Sequence, residues 1–364
     1  MNICIIGDGL SSLSLAKNLI TKKINVDVYH KNKKDFKPSN RTIGISKDNF
    51  NFFRTQICKI KKKYFWNIKS IEIFSEKKIN EKILKFKNNK QDLFFMIRNK
   101  EIVELLLKEL KKNKLFKIKK IQNNSFYKKI LITKKYDLVI NCDSKNNIVK
   151  KYFSRQIKKD YKNFAYTTIL KHKKLKNKTA TQIFTQYGPI AFLPISQTET
   201  SVVYSVNSDS NSFEKLNIIN LIKKYNKKYI IKNITRLEKF KLELFNTRQY
   251  YYKNILMFGD AIHKIHPLAG QGYNMTVRDI KILSDIIQNK IDLGMQLDKA
   301  ICSEFEKKSK HINFIFSNGI DFIYEFFNFE RKIKYNTLNK VIKFFGNNKT
   351  FKNLLSKYAD KGIM

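Results

Sequence analysis

Proline and glycine are scarce in this chain, 4 and 11 among 364 residues, so any local concentration of them is informative. Four cysteines, Cys4, Cys58, Cys142 and Cys302, stand far apart without a CxxC pair. That spacing excludes a zinc ribbon or a disulfide framework as the organising device and fits a reducing cytoplasm. Arginine occurs eight times against 66 lysines. No apolar run reaches the 18 residues of a spanning helix, and no basic stretch with an apolar signal core precedes the first strand-like run. A soluble or peripheral protein is expected. No internal repeat is visible.

What is present points to a folded enzyme-sized chain. At about 100 to 200 residues per domain, the length suggests two joined domains. Hydrophobic residues at 42% and aromatics at 13% exclude wholesale disorder. The net charge of +44, from 74 Lys+Arg and 30 Asp+Glu, taken alone suggests nucleic acid or an anionic membrane. The charge is lysine, however, and is spread along the chain beside over-used Asn, Ile and Phe. A phosphate-reading patch would be clustered and richer in arginine, whose planar fork suits phosphate. No specific nucleic acid is expected, whereas general attraction to anionic lipid is. Runs such as Lys61–Lys63 and Lys111-Lys112 read as solvated faces.

Glycine concentrates in two places. At the N-terminus, Asn2–Ile6 reads as a buried strand, Gly7-Asp8-Gly9 as a tight turn, Leu10 to about Thr21 as a helix, and Val26–Tyr29 as a second strand. This is a βαβ unit of about 30 residues. The second concentration, Gly259 to Gly272, lies between a strand at Asn254–Phe258 and a helix carrying Thr276, Ile280, Leu283 and Ile287 at helical spacing. A helix at Asn99–Lys112, a strand at Tyr136–Asn141 and antiparallel strands over Phe164–Val206 are expected between them, with helices from Asp298 onward. Phe326, Phe327, Phe329, Phe344 and Phe345 there suit a helical core or, with Arg331 and Lys343, an interfacial surface.

Gly7-Asp8-Gly9-Leu10-Ser11-Ser12 follows a strand and opens a helix, the context in which backbone N–H groups and a helix N-terminus approach a pyrophosphate. Ser12 replaces the third glycine and is small enough for close packing. A strand–helix turn without a ligand remains the alternative at this point. The acidic residue expected at the end of the second strand, where it would bind ribose hydroxyls, is His30 here.

The stretch Gly259-Asp260-Ala-Ile-His263-Lys-Ile-His266-Pro267-Leu-Ala-Gly270-Gln271-Gly272-Tyr-Asn274 decides between them. It resembles the flavin-dependent aromatic hydroxylases of the p-hydroxybenzoate hydroxylase type, in particular their ubiquinone-biosynthesis branch, which acts on polyprenylated phenols. The resemblance implies FAD, with Asp260 at the ribityl chain, Gly270, Gln271, Gly272 and Asn274 around the isoalloxazine, and His266 and Pro267 beside the reacting ring. It matches Arg41-Thr-Ile-Gly-Ile-Ser46 to a segment whose arginine lies near cofactor phosphates, and Phe94-Phe-Met-Ile-Arg98 to another element that positions cofactor. A surface arginine is the alternative for each. Asp143-Ser144 and Lys150 stand where the family has Asp-Gly and Arg, and Gly188–Pro194 resembles strands that cover the substrate. His263 and His266 lack the helical spacing of a metal pair, so structural hydrogen bonding is favoured and no metal is assigned.

The expected fold is α/β: a Rossmann-like FAD-binding domain of the glutathione-reductase type (residues 1–60, 95–155 and 250–297), an inserted antiparallel substrate domain (61–94 and 156–249) and a C-terminal helical extension (298–364). The implied activity is monooxygenation of a lipophilic phenol by O₂ through a flavin hydroperoxide. Electrons would come from NADPH, NADH or another donor. The protein would work in the cytoplasm at the inner membrane face, with possible attachment to a ubiquinone-synthesis complex. The rivals are a flavin hydroxylase of a soluble aromatic and a non-catalytic basic protein.

Overall fold

The computed structural model describes residues 1–31, 41–76, 82–87, 92–133, 135–207, 217–265 and 272–332. Its first sheet runs β16 (Tyr251–Tyr252), β17 (Ile255–Met257), β9 (Leu138–Asn141), β1 (Asn2–Ile6), β2 (Asn25–His30) and β8 (Phe116–Lys120). All neighbours in it are parallel except the short β16–β17 pair. Covered on both faces, β1 and β9 read as continuous apolar runs, as buried parallel strands do. The helices α1 (Leu10–Thr21), α3 (Asn99–Leu110), α4 (Ser125–Ile132), α5 (Asn147–Tyr152) and α7 (Gly272–Asp292) contribute to this core, and α2 (Lys47–Phe52) packs beside it. In α1, Leu13, Ala16, Leu19 and Ile20 are buried, which is the face expected from their spacing.

A large sheet lies across this layer. It runs β18 (His263–Lys264), β15 (Glu238–Thr247), β10 (Gln156–His172), β13 (Glu199–Asn207), β12 (Gly188–Pro194), β11 (Thr179–Thr185), β5 (Ser70–Ser75) and β6 (Lys82–Lys87), with β14 (Ile231–Ile234) also on β10. Its outer face is capped by α6 (Ile218–Tyr225), whose buried Ile218, Ile222 and Tyr225 fall at i, i+4 and i+7. The 34-residue α8 (Lys299–Lys332) packs on α7 and reaches the large sheet through Phe316 and Ile320.

Three points differ from the sequence expectation. The segment 61–94 divides between two sheets: β4 (Phe65–Ile68) joins β3 (Thr42–Ser46) and β7 (Phe94–Arg98) in a separate three-stranded sheet, whereas β5 and β6 enter the large one. The β5–β11 pair is parallel within an otherwise antiparallel sheet, because β5 arrives by crossover from the N-terminal part of the chain. And β18, placed with the FAD-binding segment, pairs with β15 and so ties the two layers together. Residues 333–364, with Lys343, Phe344 and Phe345, lie outside the described residues, as do the side chains of Phe326, Phe327, Phe329 and Arg331.

A candidate cofactor crevice and substrate face

The carboxyl ends of β1, β2, β9 and β17 open onto one crevice, at the point where the strand order reverses about β1. Gly7 turns the chain there with φ +110, and its amide donates to the Tyr29 carbonyl at 2.8 Å. A Cβ on Gly7 would meet Ser12 Oγ at 3.3 Å and Cys142 Cβ at 3.4 Å, so the turn, α1 and the end of β9 converge closely. Gly9 then caps α1 in an extended conformation with no side-chain cap, no acidic residue follows in the first turn, and a Cβ on Gly9 would meet nothing within 4 Å. Uncapped first-turn amides facing open space are an anion site.

Two buried polar atoms around this crevice, His30 Nδ1 and Thr276 Oγ1, have no hydrogen-bond partner among the described residues. Native proteins rarely bury such atoms unpaired, because each costs about 1 to 3 kcal/mol. His30 ends β2 and is 6% exposed. Opposite it, β17 leads into the turn Gly259–Ala261. Gly259 has φ +58, and a Cβ there would lie 2.9 Å from Ser11 Cβ and Oγ. Only glycine allows this turn to press against α1, and it delivers the exposed Asp260 to the crevice. Burial pushes the Cys142 thiol up to about 12 against the pull of its hydrogen bond with Ser12, and the nearby Asp260 and Asp143 carboxylates add to the rise. Glycines that bring backbone close, an uncapped helix end and unpaired buried donors and acceptors fit a dinucleotide such as FAD.

The helix α7 begins at Gly272, so its positive end faces this region. Asn274 is committed to the protein: its Oδ1 accepts from the Ser46 amide at 2.9 Å and its Nδ2 donates to the Gly44 carbonyl at 2.9 Å. Its side chain therefore positions α7 against β3. His263 likewise has a structural bond, Nε2 to Asp279 Oδ2 at 2.9 Å, while Asp279 Oδ1 accepts from Asn313 Nδ2 at 2.9 Å. His266, Pro267, Gly270 and Gln271 lie outside the described residues.

Arg41 and Arg98 come together, but not in the crevice proper. With Lys63 and Lys100 they line a cavity of about 640 Å³ beside the three-stranded sheet, facing Glu101 and Glu199. Arg98 pairs with Glu199 and lies 3.6 Å from Glu101. Burial raises the Glu101 carboxyl, against the pull of Arg98.

Two apolar clusters are among the contacts of the inner face of the large sheet with the rest of the molecule. At one, Ala180 packs with Ile68 and Met96; at the other, Ala165 and Leu242 pack with Met275 and Phe316. Register places Thr167, Val203 and Ala191 in a row between them, with Ser205 beside Ala165. These side chains are small, Val203 and Ala191 are only half-buried, and Thr167 Oγ1 is buried without a partner. Neither Thr167 nor Ser205 is conspicuous in sequence; only the pairing register brings them to one face.

Residues 135–292 match the family model of the FAD binding domain. That domain runs from β9 through the large sheet to the end of α7, and the remaining crevice residues, Gly7 to His30, precede it. The chain is 31% identical over 149 residues to the 3-demethoxyubiquinol 3-hydroxylase of Escherichia coli, covering 39% of this chain and 38% of that protein. It is 28% identical over 186 residues to the ubiquinone biosynthesis monooxygenase COQ6 of Dictyostelium discoideum, covering 41% and 38%. The matches thus span about two fifths of these relatives' length. Among solved structures, pqsL of Pseudomonas aeruginosa, described as a probable FAD-dependent monooxygenase, superposes with TM-score 0.70 at 13% identity, covering 89% of this chain and 96% of that one. The p-nitrophenol 4-monooxygenase of Pseudomonas putida gives 0.75 at 12%, covering 99% and 98%. The fold is that of the FAD-dependent monooxygenases.

Proposed function

We propose that the chain is an FAD-dependent monooxygenase that hydroxylates the ring of a polyprenylated phenol in ubiquinone biosynthesis. The observation that carries the reading is the similarity to ubiquinone-biosynthesis hydroxylases in a chain whose crevice leaves His30 Nδ1 and Thr276 Oγ1 unpaired among the described residues. FAD, when bound, supplies the electron and oxygen-transfer chemistry; the protein's part is placement, exclusion of water and electrostatics. Gly7, Gly9 and the amides of α1 would hold the diphosphate, His30 a ribose, and Asp260 the ribityl hydroxyls. The start of α7 would favour negative charge on the ring system. Arg41 and Arg98, in their own cavity, would supply positive potential toward the phosphates or an anionic electron donor such as NADPH or NADH. The phenol ring would lie on the row Thr167, Val203 and Ala191, small residues that leave space for it, with Thr167 as a hydrogen-bond partner.

A polyprenyl tail partitions into lipid at about 0.8 kcal/mol per buried CH₂, so the protein would work at a membrane surface. Among the described residues no helix is long and apolar enough to cross a membrane. One face of α8 instead exposes Phe314, Ile315 and Phe322, in a chain of net charge +44. Salt-sensitive binding to anionic vesicles is expected. The deciding experiment is deletion of the gene followed by lipid analysis. A polyprenylated phenol lacking one ring hydroxyl should accumulate. An unchanged quinone pathway, with the purified yellow protein hydroxylating a soluble phenol, would replace the lipid substrate by a soluble one.

A further inference from the structure

The outer face of the large sheet, away from the crevice, carries a cavity that nothing in the reading above uses. The helix α6 ends at Tyr225, and the chain from Asn226 to Tyr229 turns back over the sheet, enclosing about 160 Å³. Phe192 on the floor alternates with Ala191 along β12, so it points away from the row proposed for the phenol ring. Register sets Thr181 beside both Phe192 and Glu72, and Ile183 beside Phe74, which brings three strands to one floor. The turn above is fixed by its own bonds: Asn226 Oδ1 accepts from the Tyr229 amide at 2.9 Å, and its Nδ2 donates to the Tyr229 carbonyl at 2.7 Å.

Most polar groups here are already engaged. The Tyr225 hydroxyl donates to Glu76 at 2.6 Å and the Tyr229 hydroxyl to Asn177 at 3.0 Å, so both tyrosines offer the cavity their rings. Glu72 is held by Lys82 at 2.8 Å and Lys85 at 3.5 Å. Two lining groups are left: among the described residues neither Thr181 Oγ1 nor Lys228 Nζ has a hydrogen bond or an ion pair. The Lys228 ammonium lies 5.2 Å from the Tyr229 ring centroid at the cavity's rim. Burial lowers its pKa, with Glu72 opposing, as for a cation short of water and of a close counter-ion. A cavity of about 150 Å³ with apolar walls takes up benzene, so this one has room for one ring. Walls of Phe74, Phe192 and two tyrosine rings favour an aromatic one.

We propose that this cavity binds a small aromatic carboxylate, its ring against Phe74, Phe192 and Tyr229 and its carboxylate on Lys228 and Thr181. The site lies on the opposite face of the sheet from the ring row and does not depend on FAD or on hydroxylation. Calorimetric titration of the purified full chain with benzoate, and with benzamide as its neutral counterpart, tests it. Benzoate should bind about tenfold more tightly than benzamide. Lys228→Gln, at an exposed position, should weaken benzoate about tenfold and leave benzamide within about twofold. Thr181→Phe fills the cavity and should remove the binding of both. Benzoate binding that both variants leave intact belongs elsewhere in the molecule and overturns the proposal. Equal affinity for the two probes in the native protein overturns it too, as does no benzoate binding up to about 10 mM. If Thr181→Phe does not fold, Lys228→Gln decides alone: a selective loss of benzoate supports the site, and an unchanged affinity overturns it.

Discussion

Around the crevice, His30 and Thr276 bury polar atoms with no partner among the described residues, whereas His263, Asp279 and Asn313 satisfy one another at 2.9 Å. The polar atoms compared are buried in both regions, so exposure does not distinguish them. Pairing does. A buried polar atom bonded within the protein holds the scaffold. One left unbonded is either a defect or a group whose partner arrives with a ligand, and two such atoms around one glycine-lined crevice fit the second.

The comparison breaks first if the paired layer proves dispensable. Asp279→Ala leaves His263 and Asn313 without their acceptor and should cost about 3 kcal/mol of folding stability, seen as a lower urea midpoint. A midpoint equal to that of the native protein would mean the network is ornamental. Next is Gly259→Val. Its φ of +58 strains any side chain, and a Cβ would lie 2.9 Å from Ser11. A loss of about 2 to 3 kcal/mol is expected, together with loss of flavin, because the Asp260 turn can no longer press against α1. A stable, fully yellow Gly259→Val protein would separate the turn from the cofactor.

Asp260→Ala sharpens the contrast from the other side. Asp260 is exposed and caps no network, so the flavin-free protein should melt unchanged. FAD affinity should fall by about 1.5 to 3 kcal/mol, the usual worth of a hydrogen bond to a charged group, measured by flavin fluorescence. Equal losses in both measurements would return Asp260 to the scaffold.

Sequence made the crevice legible because its signals are local. The bounds of β1 and α1 follow from an apolar run, a glycine turn and helical spacing within twenty-odd residues, and the scarcity of glycine made Gly7, Gly9 and Gly259 conspicuous. The structural role of His263 was also readable, since its spacing rules out a helical metal pair. What escaped depends on long-range pairing. The assignment of β4 to one sheet and β5 to another, only two residues on, has no local signature, because both are short alternating strands. The inner-face row of Thr167, Val203 and Ala191 exists only through register. The carboxylate partner of Arg98 lies 101 residues away.

The smallest expected effect is at His30, where the two regions are compared on a single side chain. If Nδ1 is unpaired because it waits for a ribose hydroxyl, replacing the ring by an apolar one should act with opposite signs in two states. His30→Phe removes a buried atom that lacks a partner, so the flavin-free protein should gain up to about 1 kcal/mol of stability. The same change removes a bond to the ligand, so FAD affinity should fall by about 1 kcal/mol. His30→Glu supplies the acid that dinucleotide sites usually carry at this strand end, and should tighten FAD by up to about 1 kcal/mol while destabilising the flavin-free protein through burial of a charge. Denaturation of the flavin-free variants and titration of FAD measure the two signs separately. Should His30→Phe stabilise the protein and leave FAD affinity untouched, Nδ1 would be a packing defect, and an unpaired buried atom would no longer identify a ligand contact here.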